Sequence, residues 1–597
     1  MFGHGEGWFT ALPDCEAGLA VASRLGSGAA VKILRYESGC PFLIGEWGEC
    51  LTLTNSHGLC LVLIGAWLGD DAELRRRISG IRNVDDIGPV LDSLAGDFHA
   101  VATSGGRIRV QGTASGMRRV FHATAEGLTV ASNRSDILAR LTDASLDEEL
   151  VAVRLLDSVP HPLGDLPLWQ GIHAVRPGSY LLFSADASSC VPWWNPPEPK
   201  LDLAEGAHVL RTELERAVRV RTDTGAVISS DLSGGLDSTA ICSLAATFGA
   251  APVALTMPSR DPGDEDVHWA KIAGAELELA EHIELSLDDV PLFYSGLLDV
   301  TGPVDEPLPT ILDQPRQLAG HQLLLERGCE LHLTGMGGDH VLWGHPAHVR
   351  DLISTNPRSI FRSIRGYRAQ NRWTLRETLS ALTDRRPYGQ WLSDSADELT
   401  APRPSPHSTD VFAWDIPSRL PSWASPDAVR TVRKRIKQVA HTVTPRGASR
   451  AMHSELNVLH HGTRATRLLH QVAEHGGLPL SSPFFDDRVI EACWSVRPEV
   501  RTTPWEFKPL LKDAMRERMP RALLSRDTKG EASADAANGL RENRGRLVEL
   551  WQNSRLAELG LVDKNCLIET TLRPSSPELR YGGLDATLAC EVWLRTI

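Results

Sequence analysis

Two glycine-rich segments carry side chains suited to phosphate chemistry. The first, residues 233–238, reads Ser-Gly-Gly-Leu-Asp-Ser and stands between an apolar strand-like run and a run typical of a helix. Glycines let the backbone approach an anion closely, and the free N–H groups of a helix N-terminus point toward it. The hydroxyls of Ser233 and Ser238 add donors, whereas the Asp237 carboxylate needs a cation, for which we expect Mg²⁺. The segment lacks the Gly-Lys-Ser/Thr ending of a Walker A motif, so it is a different phosphate cradle.

The second segment, residues 333–344, reads LTGMGGDHVLWG and also follows a strand-like run. Carboxylates from two loops at one end of a sheet can together bridge Mg²⁺ to phosphate oxygens. Asp237 and Asp339 are therefore predicted metal ligands and catalytic residues. A neutral imidazole can act as a base, which makes His340 a further candidate catalytic residue.

Alternating strand-like and helix-like segments position these two loops. Their order predicts a parallel, doubly wound α/β sheet, whose ligands bind at the carboxyl ends of its strands. Beyond about residue 350 the sequence is mainly helical. The predicted strands are residues 226–232, 251–257, 282–285 and 330–335, and the predicted helices are residues 203–222, 237–248 and 267–278.

The first part of the chain has a different pattern. Short apolar runs broken by Gly, Asn and Asp, several of them alternating apolar with polar residues, are typical of half-buried antiparallel strands. A proline-rich stretch at 191–200 is predicted to be a linker, which divides the chain into domains at 1–195 and 202–597. The clearest strand-like runs are residues 60–67, 98–103, 107–112, 128–133 and 179–183.

Composition narrows the class of protein. The formal net charge of −14 argues against nucleic-acid binding, which first requires a basic surface. The chain has 10 cysteines, and no two of them have CxxC spacing. This argues against a zinc site or a redox pair and favours reduced, mostly buried thiols. The longest apolar run, residues 60–69, is too short for a membrane-spanning helix, and the N-terminus has no signal-peptide pattern. We therefore expect a cytoplasmic protein with no nucleic-acid and no membrane partner.

The two loops resemble the pyrophosphate-binding segments of ATP-pyrophosphatases, and the chain around them is similar to the asparagine synthetase family. That resemblance implies an α/β parallel-sheet synthetase domain, adenine nucleotide α-hydrolase-like, with a helical C-terminal part. It also implies ATP and Mg²⁺ as cofactors, activation of a carboxylate as an acyl-adenylate, release of pyrophosphate, and attack by an amine. By the same resemblance the nucleotide is bound by Leu232, Ser233, Gly234, Gly235, Asp237, Ser238, Thr256, Met257, Gly335 and Gly337.

Two more segments extend the resemblance toward the C-terminus. Residues 477–492 are similar to the family's PFLD segment, and residues 505–535 are similar to its basic ending. Lys529 falls on the family's catalytic lysine, where a cation would bind the triphosphate and stabilise charge as the amine attacks. Lys508 and Lys512 stand four residues apart on a predicted helix and are expected to form a solvated face.

The first domain resembles the glutaminase half of the family. Residues 94–133 and 166–183 carry this likeness, which implies an α+β N-terminal Ntn-type sandwich. The glutaminases use an N-terminal cysteine as nucleophile, whereas residue 2 here is Phe. We therefore expect a degenerate domain that makes no ammonia from glutamine, so that the substrate itself supplies the amine.

Family members with such a first domain include β-lactam synthetases, carbapenam synthetases and lasso peptide cyclases. Met336 stands where β-lactam synthetases have a tyrosine, and this loss removes a base for closing a small ring. The chain most resembles a lasso peptide cyclase, which adenylates an Asp or Glu side chain of a leaderless core peptide. A leader peptidase and a leader-recognition protein would then be partners. The alternatives are an asparagine synthetase or other small-molecule amide ligase using free ammonia, β-lactam-type ring closure, and a non-enzymatic scaffold.

Arg464 and Arg467 lie on a predicted helix at residues 460–475. Two arginines on one helix can bind phosphate or a peptide carboxylate. A surface face of ion pairs is the alternative for these residues.

Overall fold

A computed structural model describes residues 7–26, 30–48, 50–185, 187–299, 304–353, 357–405, 408–526, 530, 533–573 and 583–597. The N-terminal strands are β1 (Trp8–Ala11), β2 (Lys32–Arg35), β3 (Pro41–Glu46), β4 (Cys50–Thr54), β5 (Cys60–Leu68), β6 (Ala95–Ser104), β7 (Arg107–Gln111), β8 (Phe121–Ala125), β9 (Leu128–Ser132), β10 (His173–Ala174), β11 (Ser179–Phe183) and β12 (Ser188–Pro192). The N-terminal helices are α1 (Ala17–Leu25), α2 (Asp71–Ile78), α3 (Gly88–Leu91), α4 (Ser135–Thr142) and α5 (Glu148–Arg154).

These strands form two antiparallel sheets, in the orders β10-β8-β9-β1-β3-β2 and β12-β11-β7-β6-β5-β4. The sheets face each other, because Phe9 and Phe42 of the first share a buried cluster with Val62, Val101 and Leu181 of the second. Helices α1 and α4 pack on the outer face of the first sheet, and α2 and α3 on that of the second. The predicted N-terminal antiparallel strands are confirmed, each of the five clearest runs forming a strand (β5, β6, β7, β9 and β11).

The second part of the chain is built on a parallel sheet. Its strands are β13 (Ile228–Asp231), β14 (Val253–Thr256), β15 (Glu281–Glu284), β16 (Leu331–Leu333) and β17 (Leu480–Ser481). They are ordered β15-β14-β13-β16-β17, and every neighbouring pair is parallel. The predicted parallel α/β sheet is therefore confirmed, with β17 as an edge strand that the sequence pattern did not reveal.

Helices surround this sheet and continue to the C-terminus, as predicted. They are α6 (Leu203–Thr222), α7 (Leu236–Thr247), α8 (Asp266–Glu276), α9 (Gln314–Gln317), α10 (His321–Glu326), α11 (Gly338–Val341), α12 (His348–Asp351), α13 (Pro357–Asn371), α14 (Leu375–Thr383), α15 (Tyr388–Ser395), α16 (Pro426–Ala440), α17 (Arg450–His475), α18 (Asp487–Trp494), α19 (Pro498–Arg501), α20 (Pro509–Ala514), α21 (Arg521–Leu524), α22 (Ser533–Gln552), α23 (Arg555–Glu558), α24 (Lys564–Leu572) and α25 (Gly583–Leu594).

The proline-rich stretch at 191–200 connects the two parts of the chain and is held by specific contacts. Its first residues belong to β12, and the backbone N–H of Trp193 donates to the Gly178 carbonyl at 2.9 Å. The indole N–H of Trp194 donates to Glu491 on α18 at 2.9 Å. The two tryptophans therefore attach this connecting segment to both parts of the chain.

The helices form a large hydrophobic cluster of their own. Trp423, Trp551 and Trp593 are fully buried in it, together with Leu150 and Val153 of α5. Helix α5 therefore packs with the C-terminal helices although it precedes residue 195. Among the helices formed by the described residues, none combines the length and the apolar character needed to cross a bilayer.

Candidate functional site

The first phosphate loop begins where β13, the central strand of the parallel sheet, ends. Gly234 has a φ of +80°, and a Cβ there would lie 2.4 Å from the Asp266 carbonyl oxygen, so only glycine fits. The hydroxyl oxygens of Ser233 and Ser238 are 2.7 Å apart, and the N–H of Gly235 donates to Ser233 Oγ at 3.3 Å. These bonds hold the loop closed around the N-terminus of α7, which is favourable for an anion.

The second loop lies directly against the first. A Cβ on Gly335 would be 2.4 Å from the backbone nitrogen of Ser238, and one on Gly338 would be 2.2 Å from Cγ of Asp237. Gly337, at φ +103°, takes a conformation that suits glycine and packs against Phe484. The close approach that these glycines allow brings Asp237 and Asp339 to the same edge of the sheet.

A lysine joins the two carboxylates. The ammonium group of Lys508 forms ion pairs with Oδ2 of Asp237 and, at 2.7 Å, with Oδ1 of Asp339. Lys508 is only 8% exposed, whereas the Asp339 side chain is 47% exposed. The cluster therefore places one cation between two carboxylates, beside both phosphate loops.

The prediction that Lys508 and Lys512 form a solvated face was wrong for Lys508. Helix α20 begins at Pro509, so Lys508 is the residue before the helix, in the left-handed conformation at φ +48°. That conformation turns its side chain toward the phosphate loops. Proline favours the first position of a helix, and this signal was present in the sequence as Lys508-Pro509.

Arg526 anchors the basic segment to the first loop. Its guanidinium donates to the Gly234 carbonyl at 2.8 Å and pairs with Asp266, and the side chain is 3% exposed. Arg526 and Gly530 both line the pocket beside the two loops. Lys529, the predicted catalytic lysine, lies outside the described residues, so its predicted role stays a prediction.

The two loops, together with Lys508, Arg526 and Gly530, line a pocket of about 350 Å³, a size suited to a small ligand. We call it the nucleotide pocket, after the residues in it that the sequence predicts to bind nucleotide. Of the predicted nucleotide-binding residues, Ser233, Gly235, Asp237, Ser238, Met257 and Gly335 line it. Leu232 and Thr256 are buried and do not line the pocket, and the Thr256 hydroxyl donates to the Leu232 carbonyl at 2.6 Å. Gly234 and Gly337 shape the loops instead of lining the pocket.

Asp231 is a pocket-lining carboxylate that sequence reasoning missed. Its Oδ1 lies 3.0 Å from Nε2 of His332, whose Nδ1 lies 2.9 Å from the Ser229 hydroxyl. Burial alone would raise the pKa of Asp231, but His332 and the Thr334 hydroxyl hold that pKa below its usual value. Asp231 therefore faces the pocket as a fixed carboxylate.

The structure does not bring His340 into the pocket. Its ring centroid lies 5.6 Å from that of Phe485, and a Cβ on Gly462 of α17 would be 2.2 Å from its ring. Successive residues of a helix point about 100° apart, so Asp339 and His340 at the start of α11 face different ways. The candidate role of His340 as a base is not supported by this placement.

Arg464 and Arg467 are buried, so the alternative of a surface face of ion pairs was wrong. They pair with Glu306 and Asp305, and all four side chains are at most about one-tenth exposed. The Arg467 guanidinium also donates to the carbonyl of Asn133 in the N-terminal part at 3.1 Å. These arginines join the two parts of the chain, and their charges are already neutralised.

For the ATP chemistry predicted from the sequence, Gly338→Ala is expected to lower the rate of pyrophosphate release by about 100-fold, because the new methyl group would displace the Asp237 carboxylate from Lys508. Gly545→Ala on α22 is the matched control, since a methyl group there meets no atom of the described residues within 4 Å. Steady-state assays of both variants with ATP measure the difference. Unchanged activity of Gly338→Ala would show that the position of Asp237 does not matter.

The sequence matches the family model for asparagine synthase over residues 209–595. None of the curated proteins is similar enough to this chain to count as a match. Among solved structures, the allosteric regulatory enzyme of purine biosynthesis is 11% identical with a TM-score of 0.21, over 55% of this chain and 80% of that one. Glutamine phosphoribosylpyrophosphate amidotransferase from B. subtilis, complexed with ADP and GMP, is 12% identical with a TM-score of 0.21, over 55% of this chain and 81% of that one.

Similarity at those TM-scores does not establish a shared fold, so the family match is the finding that identifies the protein. It covers well over half of the chain, including both phosphate loops and Lys508. The chain belongs to the asparagine synthase family and is an ATP-dependent, amide-forming ligase.

Proposed function

We propose that this enzyme closes an amide within a ribosomally made peptide, as lasso peptide cyclases do. ATP activates an Asp or Glu side chain of the leaderless core peptide, and the N-terminal amine of the same peptide attacks it. The observation that carries the proposal is the junction formed by Asp339, Phe507 and Lys508, which borders both the nucleotide pocket and a second cleft of about 720 Å³. A second cleft of that size suits a peptide better than free aspartate and ammonia.

Residues of the first loop and of the junction act together in the first step, the activation of the carboxylate. The carboxylate oxygen of the substrate attacks the α-phosphorus of ATP, and the bond from that phosphorus to pyrophosphate breaks. The hydroxyls of Ser233 and Ser238 and the N-terminus of α7 donate hydrogen bonds to phosphate oxygens. Lys508 can exchange its contact with Asp339 for one with a phosphate oxygen and so offset the charge that leaves with pyrophosphate.

The second step forms the amide. The peptide amine attacks the carbonyl carbon of the adenylate, the bond to AMP breaks, and the proton that the amine loses passes to the departing phosphate of AMP or to water. Holding both peptide groups in one enclosed site makes this reaction effectively intramolecular. Buried groups such as Arg526, which fixes the first loop, keep the phosphates in place during that step.

The donor set also suits Mg²⁺. Asp237 and Asp339 offer carboxylate oxygens, the ligands that this ion prefers, and the close approach of the second loop at Gly338 brings these two side chains together on one lysine. When bound, the ion would neutralise phosphate oxygens. We further propose that residues 1–195 are a degenerate glutaminase-like domain of Ntn type, supported by their helix–sheet–sheet–helix layering.

Mass spectrometry of a leaderless core peptide incubated with the enzyme, ATP and Mg²⁺ tests the proposal. The candidate peptide is one encoded beside this protein. We expect a product lighter by one water that carries an internal amide, with AMP and pyrophosphate formed in equal amounts. Asp339→Asn should abolish it, because the variant loses a charged ligand at the junction.

Other outcomes would replace the proposal. AMP formed from free aspartate and ammonium, without any change in the peptide, would establish a small-molecule amide ligase. A product from a small β-amino acid would establish ring closure of the β-lactam type. Absence of pyrophosphate release with each of these substrates would indicate a scaffold that has kept the fold.

A further inference from the structure

The cleft beside the nucleotide pocket has a distinctive lining. Its walls come from the turn after α11, from α13 and from the segment that joins α19 to α20. We call it the aromatic cleft and define it by Trp343, Pro346, Tyr367, Arg501, Trp505 and Phe507. It opens beside the carboxylate of Asp339.

Three aromatic rings in the cleft face solvent. Trp343 is 40% exposed, Trp505 54% and Phe507 39%. Trp505 is held in place from behind, since the Arg362 guanidinium lies 4.8 Å from its ring centroid and a Cβ on Gly366 would be 2.9 Å from the ring. Large apolar surfaces that are rigid and exposed in one place are typical of binding sites.

Two buried polar groups also line the cleft. Tyr367 is 5% exposed and Arg501 3%, and within the described part of the chain the Tyr367 hydroxyl and two guanidinium nitrogens of Arg501 have no hydrogen-bond partner. The remaining nitrogen of Arg501 donates to both Glu455 oxygens, at 2.8 and 2.7 Å. Because Glu455 already neutralises Arg501, the open donors suit a neutral carbonyl oxygen better than a second carboxylate.

We infer that the aromatic cleft binds the peptide segment that flanks the reacting carboxylate. An apolar or aromatic side chain of the peptide packs against Trp343 and Trp505, and backbone carbonyls accept from Tyr367 and Arg501. The carboxylate then lies at the junction with the nucleotide pocket, next to Lys508. The inference rests on the proposed function, since it takes the activated carboxylate to belong to a peptide.

Calorimetric titration of the full chain with two probe peptides tests the inference. The probes are Ac-Gly-Trp-Asp-Gly-NH₂ and Ac-Gly-Gly-Asp-Gly-NH₂, each with Mg²⁺ and a non-hydrolysable ATP analogue. We expect the tryptophan probe to bind about tenfold more tightly, because burial of one aromatic side chain provides that difference. Trp505→Ala should remove the preference and leave the affinity for the ATP analogue unchanged.

Two more variants make the result specific. Phe361→Ala is the matched control, because Phe361 is an exposed aromatic residue of α13, at 68%, that does not line the cleft. The Phe361→Ala variant should still bind the tryptophan probe more tightly than the glycine probe. Tyr367→Phe deletes only a buried hydroxyl that has no hydrogen-bond partner among the described residues, so the variant should fold normally and bind both probes more weakly by the same factor.

Equal affinity of the wild-type protein for the two probes would overturn the inference, as would loss of the preference in Phe361→Ala. The binding measurement involves no turnover, so it separates this inference from the proposed function. A preference that depends on Trp505, without closure of any core peptide, would contradict the proposed function alone. Normal closure with an unchanged KM in Trp505→Ala would contradict the aromatic cleft alone.

Discussion

Lys508→Met is expected to lower kcat/KM for pyrophosphate release by about 100- to 1,000-fold, the usual cost of removing one preorganised charged donor from a reacting centre. The Lys508 ammonium contacts both Asp237 and Asp339, so a neutral side chain leaves two carboxylates facing the triphosphate. ATP would then bind against like charge at this point of the junction. Release of pyrophosphate at varied ATP concentration measures the loss.

Lys512→Met is the control for this prediction. Lys512 lies one turn further along α20 and does not line the pocket, so its loss should change the rate by no more than about twofold. A second measurement is Mn²⁺ binding to the nucleotide-free protein by electron paramagnetic resonance. Lys508→Met should bind Mn²⁺ more tightly, because the ammonium competes with a metal for Asp237 and Asp339. Near-normal activity of Lys508→Met would show that Lys508 only neutralises the two aspartates and takes no part in the reaction.

The phosphate loops could be predicted from sequence because their chemistry is local. A strand, glycines and a helix start occur within about a dozen consecutive residues around Ser233–Ser238, and backbone sterics alone fix their arrangement. The strand and helix periods likewise predicted the two kinds of sheet. Strand β17 was not predicted because it has two residues and pairs with β16, which lies about 150 residues earlier in the chain.

The rest of the site depends on contacts between distant segments, which no spacing encodes. Lys508 reaches Asp237 across 271 residues of sequence, and Arg526 reaches Gly234 across 292. The two aspartates were recognisable, but the cation between them was not. Arg464 and Arg467 show the same limit, since their helical spacing was readable while their burial against Glu306 and Asp305 was set by tertiary packing.

Arg464→Met is expected to lower the free energy of unfolding by about 3–5 kcal/mol, because it leaves Glu306 as a buried charge without its partner. The Arg464 guanidinium donates to both Glu306 oxygens at 3.0 Å, and the two residues are 6% and 8% exposed. Arg555→Met is the control, since the Arg555–Glu558 pair is about 60% exposed on each side and should contribute less than about 1 kcal/mol. Urea denaturation followed by tryptophan fluorescence measures both. Equal losses in the two variants would show that burial adds nothing to the Arg464 pair.

The same pair predicts a dependence on pH. Burial alone would raise the pKa of Glu306, but Arg464, Arg154 and Arg119 together hold that pKa below its ordinary value of 4.5. A carboxyl group whose pKa is lower in the folded than in the unfolded state stabilises the fold above the unfolded pKa, and this stabilisation is lost as pH falls below it. The side chain of Glu306→Gln carries no charge at any pH. The difference in the free energy of unfolding between wild type and variant should therefore be largest near neutral pH and become smaller below pH 4.5, the ordinary pKa of a glutamate. Neighbouring acids such as Asp165 are present in both proteins, so the difference between the two free energies of unfolding reports on Glu306 alone. A gap that stays constant from neutral pH down to about pH 3 would mean that Glu306 is not the charged partner of Arg464.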